Sequence, residues 1–186
     1  MAQFTKKVII DAFFKLLSEK SFDKITVKDI VDECQINRNT FYYYYEDIYD
    51  LVENIFQIKL EEIAKKELTQ SFEEEFKQNI SNVLKYRPAI ENMYHSKERD
   101  MFIKYLEGIA DNFADKYIRK RAENVSISSE NLELLIACYS ASICGIVSRW
   151  AQNDSGLSLD VFVHKLSLIY EKSIDVSLKA FEECYD

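Results

Sequence analysis

The scarcity of residues that interrupt helices constrains this chain more than any other feature. Its 186 residues include only three glycines and one proline, Pro88. Charged and apolar residues recur at helical spacing nearly throughout, and little material remains for tight turns, hairpins or a glycine-rich phosphate loop. The pattern predicts an all-α fold, and a hydrophobic share of 47% is ample for a packed core.

Residues 37–45 concentrate polar and aromatic side chains that a purely structural helix rarely needs. Asn37 is a good N-cap, and Phe41 and Tyr45 lie four residues apart, which predicts that both face inward. A helix cannot bury four successive tyrosines on one side, so at least two phenols are predicted to project outward. The predicted outward face consists of Arg38, Asn39, Thr40, Tyr42, Tyr43 and Tyr44.

A second short helix is predicted immediately before this one. Residues 26–29 read as a capping signal that begins at Thr26, and Val27, Ile30, Val31 and Cys34 follow at helical spacing. Residues 34–36 then form a turn. Two short helices joined in this way predict a helix-turn-helix, whose second helix enters the major groove of DNA.

With a preceding helix over residues 5–20, the run from Lys20 to Tyr45 resembles the DNA-binding domain of the TetR family of transcriptional regulators. The resemblance covers about the first 55 residues. It implies a DNA-binding domain over residues 1–55, with the helix-turn-helix at about 26–45, and a C-terminal helical bundle domain over 56–186 that dimerises and binds an effector. The residues assigned to DNA are Thr26, Lys28, Asn37, Arg38, Asn39, Thr40, Tyr42, Tyr43 and Tyr44.

The sequence departs from the family pattern at several positions. Gln35 stands where glycine is usual, and Glu46 and Ile48 stand where lysines often reach phosphate. These two replacements predict weak binding to the DNA backbone. Residues 46–51 resemble a Firmicutes subgroup that includes the regulator of a dihydroxyacetone kinase operon.

The charge distribution excludes a generally basic nucleic-acid surface. The chain carries a net charge of −8, and its first 50 residues hold seven Lys and Arg against nine Asp and Glu. DNA contact is therefore predicted to be local, with each lysine also open to a role as a solvated surface charge. A second basic patch, residues 116–121, is interpreted as a solvated helix end rather than a second DNA contact. The cations available near the helix-turn-helix are Lys6, Lys7, Lys24, Lys28 and Arg38.

No catalytic or metal-binding pattern appears in the sequence. HExxH, GxSxG and clustered Cys and His at zinc spacing are all absent, and the two histidines are distant in sequence. Four widely spaced cysteines without CxxC predict a reducing cytoplasm, with Cys138 and Cys144 expected as small core residues. No enzyme activity, metal or cofactor is expected. The longest uncharged run, residues 134–148, is shorter than the roughly 20 residues that span a bilayer, so no membrane partner is expected.

The C-terminal half predicts a homodimer and an effector pocket. Small residues at helical spacing let a second helix approach, and with an apolar final helix they favour a dimeric bundle that reads an inverted-repeat operator. The predicted interface is Ala137, Ala141, Gly145, Tyr170 and Ile174. The predicted small-molecule pocket is Met93, Tyr94, His95, Met101, Phe102, Tyr105, Phe113 and Tyr139, each of which is also open to a role in the core.

Two rival functions remain open at this point. The first is a helical protein-interaction module with a degenerate helix-turn-helix, which Glu46, Ile48 and the acidic N-terminal balance favour. The second is an all-α enzyme, which the missing catalytic set makes remote. A DNA-binding assay distinguishes the first rival from a regulator, because only the regulator is expected to bind DNA.

Overall fold

The computed structural model describes residues 2–68, 71–84, 86–152 and 157–183, and within them every regular element is helical. The all-α prediction is confirmed for this part of the chain. A single turn of 3-10 helix covers Phe22–Lys24. The α-helices are α1 (Ala2–Glu19), α2 (Val27–Cys34), α3 (Arg38–Tyr44), α4 (Ile48–Lys65), α5 (Phe72–Leu84), α6 (Arg87–Tyr94), α7 (Arg99–Ala122), α8 (Ser129–Gln152) and α9 (Leu159–Glu183).

The chain divides into two compact units that do not follow chain order. The first unit comprises Met1–Glu62 and Asn82–Tyr105, and the second comprises Ile63–Ser81 and Leu106–Asp186. The resemblance implied a single domain over residues 56–186, whereas α6 and most of α4 lie in the first compact unit. The reason is packing, because α6 lies against α1.

The core of the first unit carries the helix-turn-helix. α1 packs against α2, and α2 packs against α3. Ile9, Ile30, Phe41 and Leu51 are completely buried, one each from α1, α2, α3 and α4. Burying four such side chains contributes roughly 1.5–3 kcal/mol each before entropy is subtracted. This shared core holds the two short helices in place, since neither is long enough to be stable alone.

Polar bonds also join α6 and its following turn to the rest of the first unit. The side-chain amide of Asn92 donates to the carbonyl of Leu17 at 2.8 Å, which satisfies an orphan acceptor near the end of α1. The backbone N–H of Lys97 donates to Asp23 in the 3-10 turn at 3.2 Å. These contacts link positions about 75 residues apart in sequence.

The second unit is built around an aromatic core. Phe72 of α5 is 1% exposed, and its ring contacts four other buried aromatic rings from α5, α7 and α9. The centroid distances from Phe72 are 5.3 Å to Phe76, 5.1 Å to Phe113, 4.9 Å to Tyr117 and 5.7 Å to Tyr170. Aromatic pairs at these distances stabilise a core beyond the area that they bury.

α8 begins before and ends after the uncharged run at residues 134–148. The hydroxyl of Ser128 accepts from the N–H of Asn131 at 3.1 Å and caps the start of the helix. Among the described residues, one stretch, Ser129–Trp150, is long and apolar enough by composition to cross a membrane. The uncharged run at residues 134–148 therefore covers only part of this apolar stretch. Cys184 lies outside the described residues.

Candidate DNA-binding site

The start of α2 is fixed by a complete capping box. The hydroxyl of Thr26 accepts from the N–H of Asp29 at 3.2 Å, and the Asp29 carboxylate accepts from the N–H of Thr26 at 2.8 Å. Hydrogen bonds from the Thr26 hydroxyl and N–H, with Lys20 at 3.1 Å, lower the pKa of Asp29 to about 2. The predicted capping signal is confirmed, and the polar groups of Thr26 are committed to the cap.

This capping box gives a pH-dependent prediction. Asp29→Ala is expected to lower the free energy of unfolding by about 1 kcal/mol at neutral pH. Because the folded pKa of Asp29 lies below the unfolded value of about 3.9, its stabilisation is present above that value and is lost as the pH falls through about 2. Urea unfolding at several pH values measures this. Asp32→Ala, on the same helix, is the control, and a deficit that stayed constant down to acid pH would contradict the assignment.

The turn between α2 and α3 contains the only non-glycine residue with positive φ in the described part of the chain. Gln35 ends α2 in the left-handed conformation, with φ 55° and ψ 38°. This geometry explains why the family usually has glycine there, since a side chain strains that conformation. The N–H of the next residue, Ile36, bonds to the carbonyl of Val31 at 3.0 Å and closes the turn.

α3 is held by one cap and two inward aromatic rings. Asn37 accepts from the N–H of Thr40 at 2.8 Å and from its hydroxyl at 3.0 Å. Phe41 and Tyr45 are buried, with ring centroids 5.8 Å apart. The predicted N-cap and inward face are thus confirmed. Asn37 and Thr40 are engaged with each other, so their first role is to build the helix start.

The outward face of α3 presents four exposed side chains with different chemistry. Arg38 and Asn39 are exposed at the N-terminal end, and neither has a hydrogen bond or ion pair with any described residue. Tyr42 is 53% exposed and Tyr43 is 79% exposed. Tyr44 is half-buried, with its ring 4.9 Å from that of Tyr43. This face offers a guanidinium, an amide and two phenols, which suit base edges and phosphate oxygens.

Two lysines belong to the helices that precede α3. Lys28 is exposed in the first turn of α2, where the sequence analysis placed a DNA contact. The ammonium of Lys6, from α1, lies 5.7 Å from the centre of the Tyr45 ring, beyond the end of α3. Mainly because of burial, the pKa of the Tyr45 phenol is raised. Its oxygen has no hydrogen-bond partner among the described residues.

The start of α4 is strongly acidic, and the carboxylates of Asp47 and Asp50 add to that of Glu46. Asp47 accepts from the N–H of Asp50 at 2.9 Å, and Asp50 accepts from the N–H of Glu46 at 2.9 Å. These carboxylates occupy a helix N-terminus that would otherwise attract phosphate. The three-residue spacing of Asp47 and Asp50 was the available signal for this cap.

Glu46→Lys is therefore expected to strengthen binding to all DNA sequences. The change replaces an exposed anion by a cation and leaves the capping bonds of Asp47 and Asp50 in place, since Glu46 takes part only through its backbone. The slope of log affinity against log salt, which is expected to be shallow in the wild type, should steepen by about one phosphate contact. Fluorescence anisotropy on random duplexes at several salt concentrations measures both effects. Glu53→Lys, exposed farther along α4, is the control.

Comparison with family models identifies the two parts of the chain. Residues 9–55 match a model described as "Bacterial regulatory proteins, tetR family", and residues 70–172 match one described as "Transcriptional regulator C-terminal region". The second match alone spans more than half of the chain. The chain belongs to the TetR family. It is a DNA-binding transcriptional regulator, and α8 lies within the family's C-terminal region.

Two solved structures share the fold of this TetR-family chain. The first is "Dihydroxyacetone kinase operon activator DhaS", with a TM-score of 0.75 at 22% identity, covering 96% of this chain and 98% of that chain. The second is a TetR transcriptional regulator from Streptococcus agalactiae 2603V, with a TM-score of 0.61 at 19% identity, covering 91% and 94%. At these identities the likeness shows the fold. No curated protein matches the sequence significantly.

The predicted effector-pocket residues fall into different units of the regulator. Met93, Tyr94, His95, Met101, Phe102 and Tyr105 belong to the first unit. Phe113 and Tyr139 belong to the second unit, where Phe113 packs in the aromatic core and Tyr139 contacts Tyr170 at 5.6 Å. His95 is exposed at the end of α6.

The predicted dimer residues also separate into two groups. Ala137, Ala141 and Gly145 are exposed along one side of α8. Tyr170 and Ile174 are instead 2% and 1% exposed, so they already pack in the core of the single chain. The hydroxyl of Tyr170 bonds to Ser142 at 2.6 Å. A partner copy could bury almost no further area of these two side chains. Tyr170 and Ile174 are therefore core residues of the single chain rather than interface residues.

The remaining reactive side chains form no catalytic set in the described residues. Glu73 lies 3.0 Å from the ring of His164 and accepts from the hydroxyl of Ser167 at 3.1 Å. That serine is 2% exposed, so its hydroxyl is not accessible to a substrate. Cys138 is exposed rather than in the core, and burial raises the pKa of the Cys144 thiol. The part of the chain that the structure describes holds no His, Cys, Asp and Glu cluster suited to a metal.

Proposed function

We propose that this TetR-family regulator acts as a homodimer, that each α3 reads one half of an inverted-repeat operator, and that a small-molecule effector controls DNA binding. The outward face of α3 is the observation that carries the proposal. Arg38 and Asn39 are exposed and free of partners among the described residues, while Phe41 anchors the helix beneath them. A side chain that is free in the protein keeps all its donors for base edges.

The dimer is supported by apolar side chains left exposed on two neighbouring helices of the second unit. α8 and α9 are joined by the Ser142–Tyr170 bond and by one between Tyr139 and Ser177 at 3.3 Å. An apolar face of this extent marks an interaction surface. A Cβ placed on Gly145 would meet nothing within 4 Å in the single chain, so space for a second helix remains there. The exposed residues are Leu134, Ala137, Ala141 and Gly145 on α8 and Val161, Leu168, Ile169 and Val176 on α9.

Selection of bound sequences from random DNA tests the proposal directly. A two-fold symmetric dimer should select an inverted repeat whose half-sites lie about one helical turn apart or a multiple of it. Selection of a single unrepeated half-site would contradict the dimeric arrangement. No enrichment at all at low salt would contradict sequence-specific DNA binding. The selected site would also locate the target genes.

The effector is proposed to bind in the first unit, among its aromatic and thioether side chains. Phe56 stacks on Tyr105 at 4.3 Å with the rings nearly parallel, and Phe102 lies 6.2 Å from Phe56. Burial raises the pKa of Tyr105 to about 12, so its hydroxyl stays a neutral donor and acceptor. The buried side-chain oxygen of Asn54 has no partner among the described residues and could accept a donor from a ligand.

A thermal-shift screen of small metabolites tests the effector. A true effector should raise the melting temperature and change operator affinity, and Tyr105→Phe should reduce both responses. Tyr49→Phe, an exposed phenol elsewhere in the first unit, is the matched control. A screen in which no compound affects either melting or DNA binding would count against ligand control.

A second candidate is a helical interaction module whose helix-turn-helix has lost DNA affinity. The three carboxylates of Glu46, Asp47 and Asp50 beside the reading helix are the observation that favours it. A gel-shift assay at low salt on DNA upstream of the gene separates the two, because only the regulator binds. Under the main proposal the protein works in the cytoplasm on the chromosome and catalyses no reaction.

A further inference from the structure

A basic groove lies in the second unit, where α4 ends and α7 passes. It has a volume of about 540 Å3, within the range of small-molecule sites. Five cations and two carboxylates line it, a balance of +3 in a chain whose net charge is −8. The charged lining residues are Lys65, Lys66, Lys116, Arg119, Lys120, Glu67 and Glu123.

Two of these cations are held by neutral acceptors. The ammonium of Lys116 donates to the backbone carbonyls of Ile63, at 2.7 Å, and Lys66. The ammonium of Lys120 donates to the carbonyl of Leu68 at 2.9 Å. Carbonyl oxygens orient the ammonium groups without cancelling their charge. Each ammonium has three N–H donors, so about one remains on Lys116 and two on Lys120.

The other three cations of the groove have partners of their own, and for two of them these partners are carboxylates. Arg119 bonds to Asp115 at 2.7 Å and to Glu133 at 2.5 Å. Lys66 bonds at 3.0 Å to Glu75, which is 1% exposed. Lys116 and Lys120, one turn apart on α7, are therefore the two cations of the groove whose hydrogen bonds go to backbone carbonyls rather than to carboxylates.

The environment of Lys116 favours a bound anion. Burial lowers the pKa of its ammonium, which means that the charge is incompletely solvated. An anion in contact with the ammonium would offset that desolvation. Glu67 and Glu123 on the lining would repel an extended polyanion, while a compact anion could reach the two lysines.

We propose that this groove is a binding site for a small anion carrying carboxylate or phosphate groups, held by the free N–H donors of Lys116 and Lys120. The interpretation of residues 116–121 as a merely solvated helix end is thereby replaced. The site stands on its own geometry and does not depend on the operator or on the effector proposed for the first unit.

Isothermal titration calorimetry with inorganic pyrophosphate and with citrate tests the site. The full-length protein is titrated without DNA, and sodium chloride holds the ionic strength constant. We expect saturable binding of at least one probe at millimolar concentration. Lys116→Gln and Lys120→Gln should each weaken it about tenfold, because each removes a charge-assisted hydrogen bond. Lys104→Gln, exposed on the same helix about 18 Å along its axis, should leave affinity unchanged.

Lys120→Gln keeps the proposal testable if Lys116→Gln fails to fold, because Lys120 is exposed. Circular dichroism establishes the fold of each variant. The proposal is overturned if neither probe binds the wild type, or if binding is the same in Lys120→Gln as in Lys104→Gln. A loss of affinity for duplex DNA in Lys120→Gln without any effect on the probes would overturn it as well, and would make the patch a DNA contact.

Discussion

Gly145→Arg is expected to make the proposed dimer sediment as a monomer of 21.9 kDa in analytical ultracentrifugation at micromolar concentration. Gly145 lies in the middle of α8, where glycine costs a helix about 1 kcal/mol relative to alanine. Nothing lies within 4 Å of a Cβ at this position in the single chain, so arginine should leave the protomer at least as stable. In a symmetric interface the guanidinium would be buried beside its own copy, which costs several kcal/mol.

The same variant should lose operator binding by about a hundredfold or more, because a monomer engages only one half-site. Asn124→Arg is the control, since it adds the same guanidinium at an exposed turn outside the α8 and α9 face. Differential scanning fluorimetry separates loss of the dimer from loss of the fold. A Gly145→Arg protein that sediments as the wild type does would show that this side of α8 is not the interface.

Arg38→Ala is expected to lower affinity for the selected operator by roughly 1–3 kcal/mol, which is about five- to 150-fold. Arg38 is exposed at the first position of α3 and has no competing partner among the described residues, so its full donor set is available to DNA. If it reads a base, the loss on the operator should exceed the loss on random DNA. Fluorescence anisotropy with both duplexes at two salt concentrations measures the difference.

Lys28→Ala provides the contrast for this measurement. A lysine that contacts phosphate should weaken binding equally on all sequences and reduce the salt slope by about one, without changing which site is selected. Lys104→Ala, far along the chain, should have neither effect. Wild-type affinity of Arg38→Ala for the operator would show that α3 does not recognise DNA through its N-terminal guanidinium.

The local sequence determined where the two helices of the helix-turn-helix begin. Thr26 with Asp29 and Asn37 with Thr40 cap α2 and α3 through bonds that span three residues, and such bonds need only the nearby chain. The four-residue spacing of Phe41 and Tyr45 gave the inward face for the same reason. The family resemblance, rather than these patterns, supplied the DNA target.

Tertiary structure decided which apolar face of a helix meets which neighbour. α9 carries apolar residues on more than one side, and its sequence does not distinguish a protomer core from a surface left for a second copy. Folding placed Tyr170 and Ile174 in the core and left Ile169 and Val176 61% and 68% exposed. Which side chains of α9 are buried depends on the positions of α5, α7 and α8. The sequence around α9 does not specify those positions.

The basic patch on α7 shows the same limit for charged side chains. From the sequence, Lys116 and Lys120 fit a solvated helix end, because the local pattern gives only their mutual spacing. Their acceptors are carbonyls at residues 63, 66 and 68, about 50 positions earlier in the chain. A backbone carbonyl has no signature in the amino-acid sequence, since every residue carries one. Only the fold that brings the end of α4 to α7 could assign these two lysines.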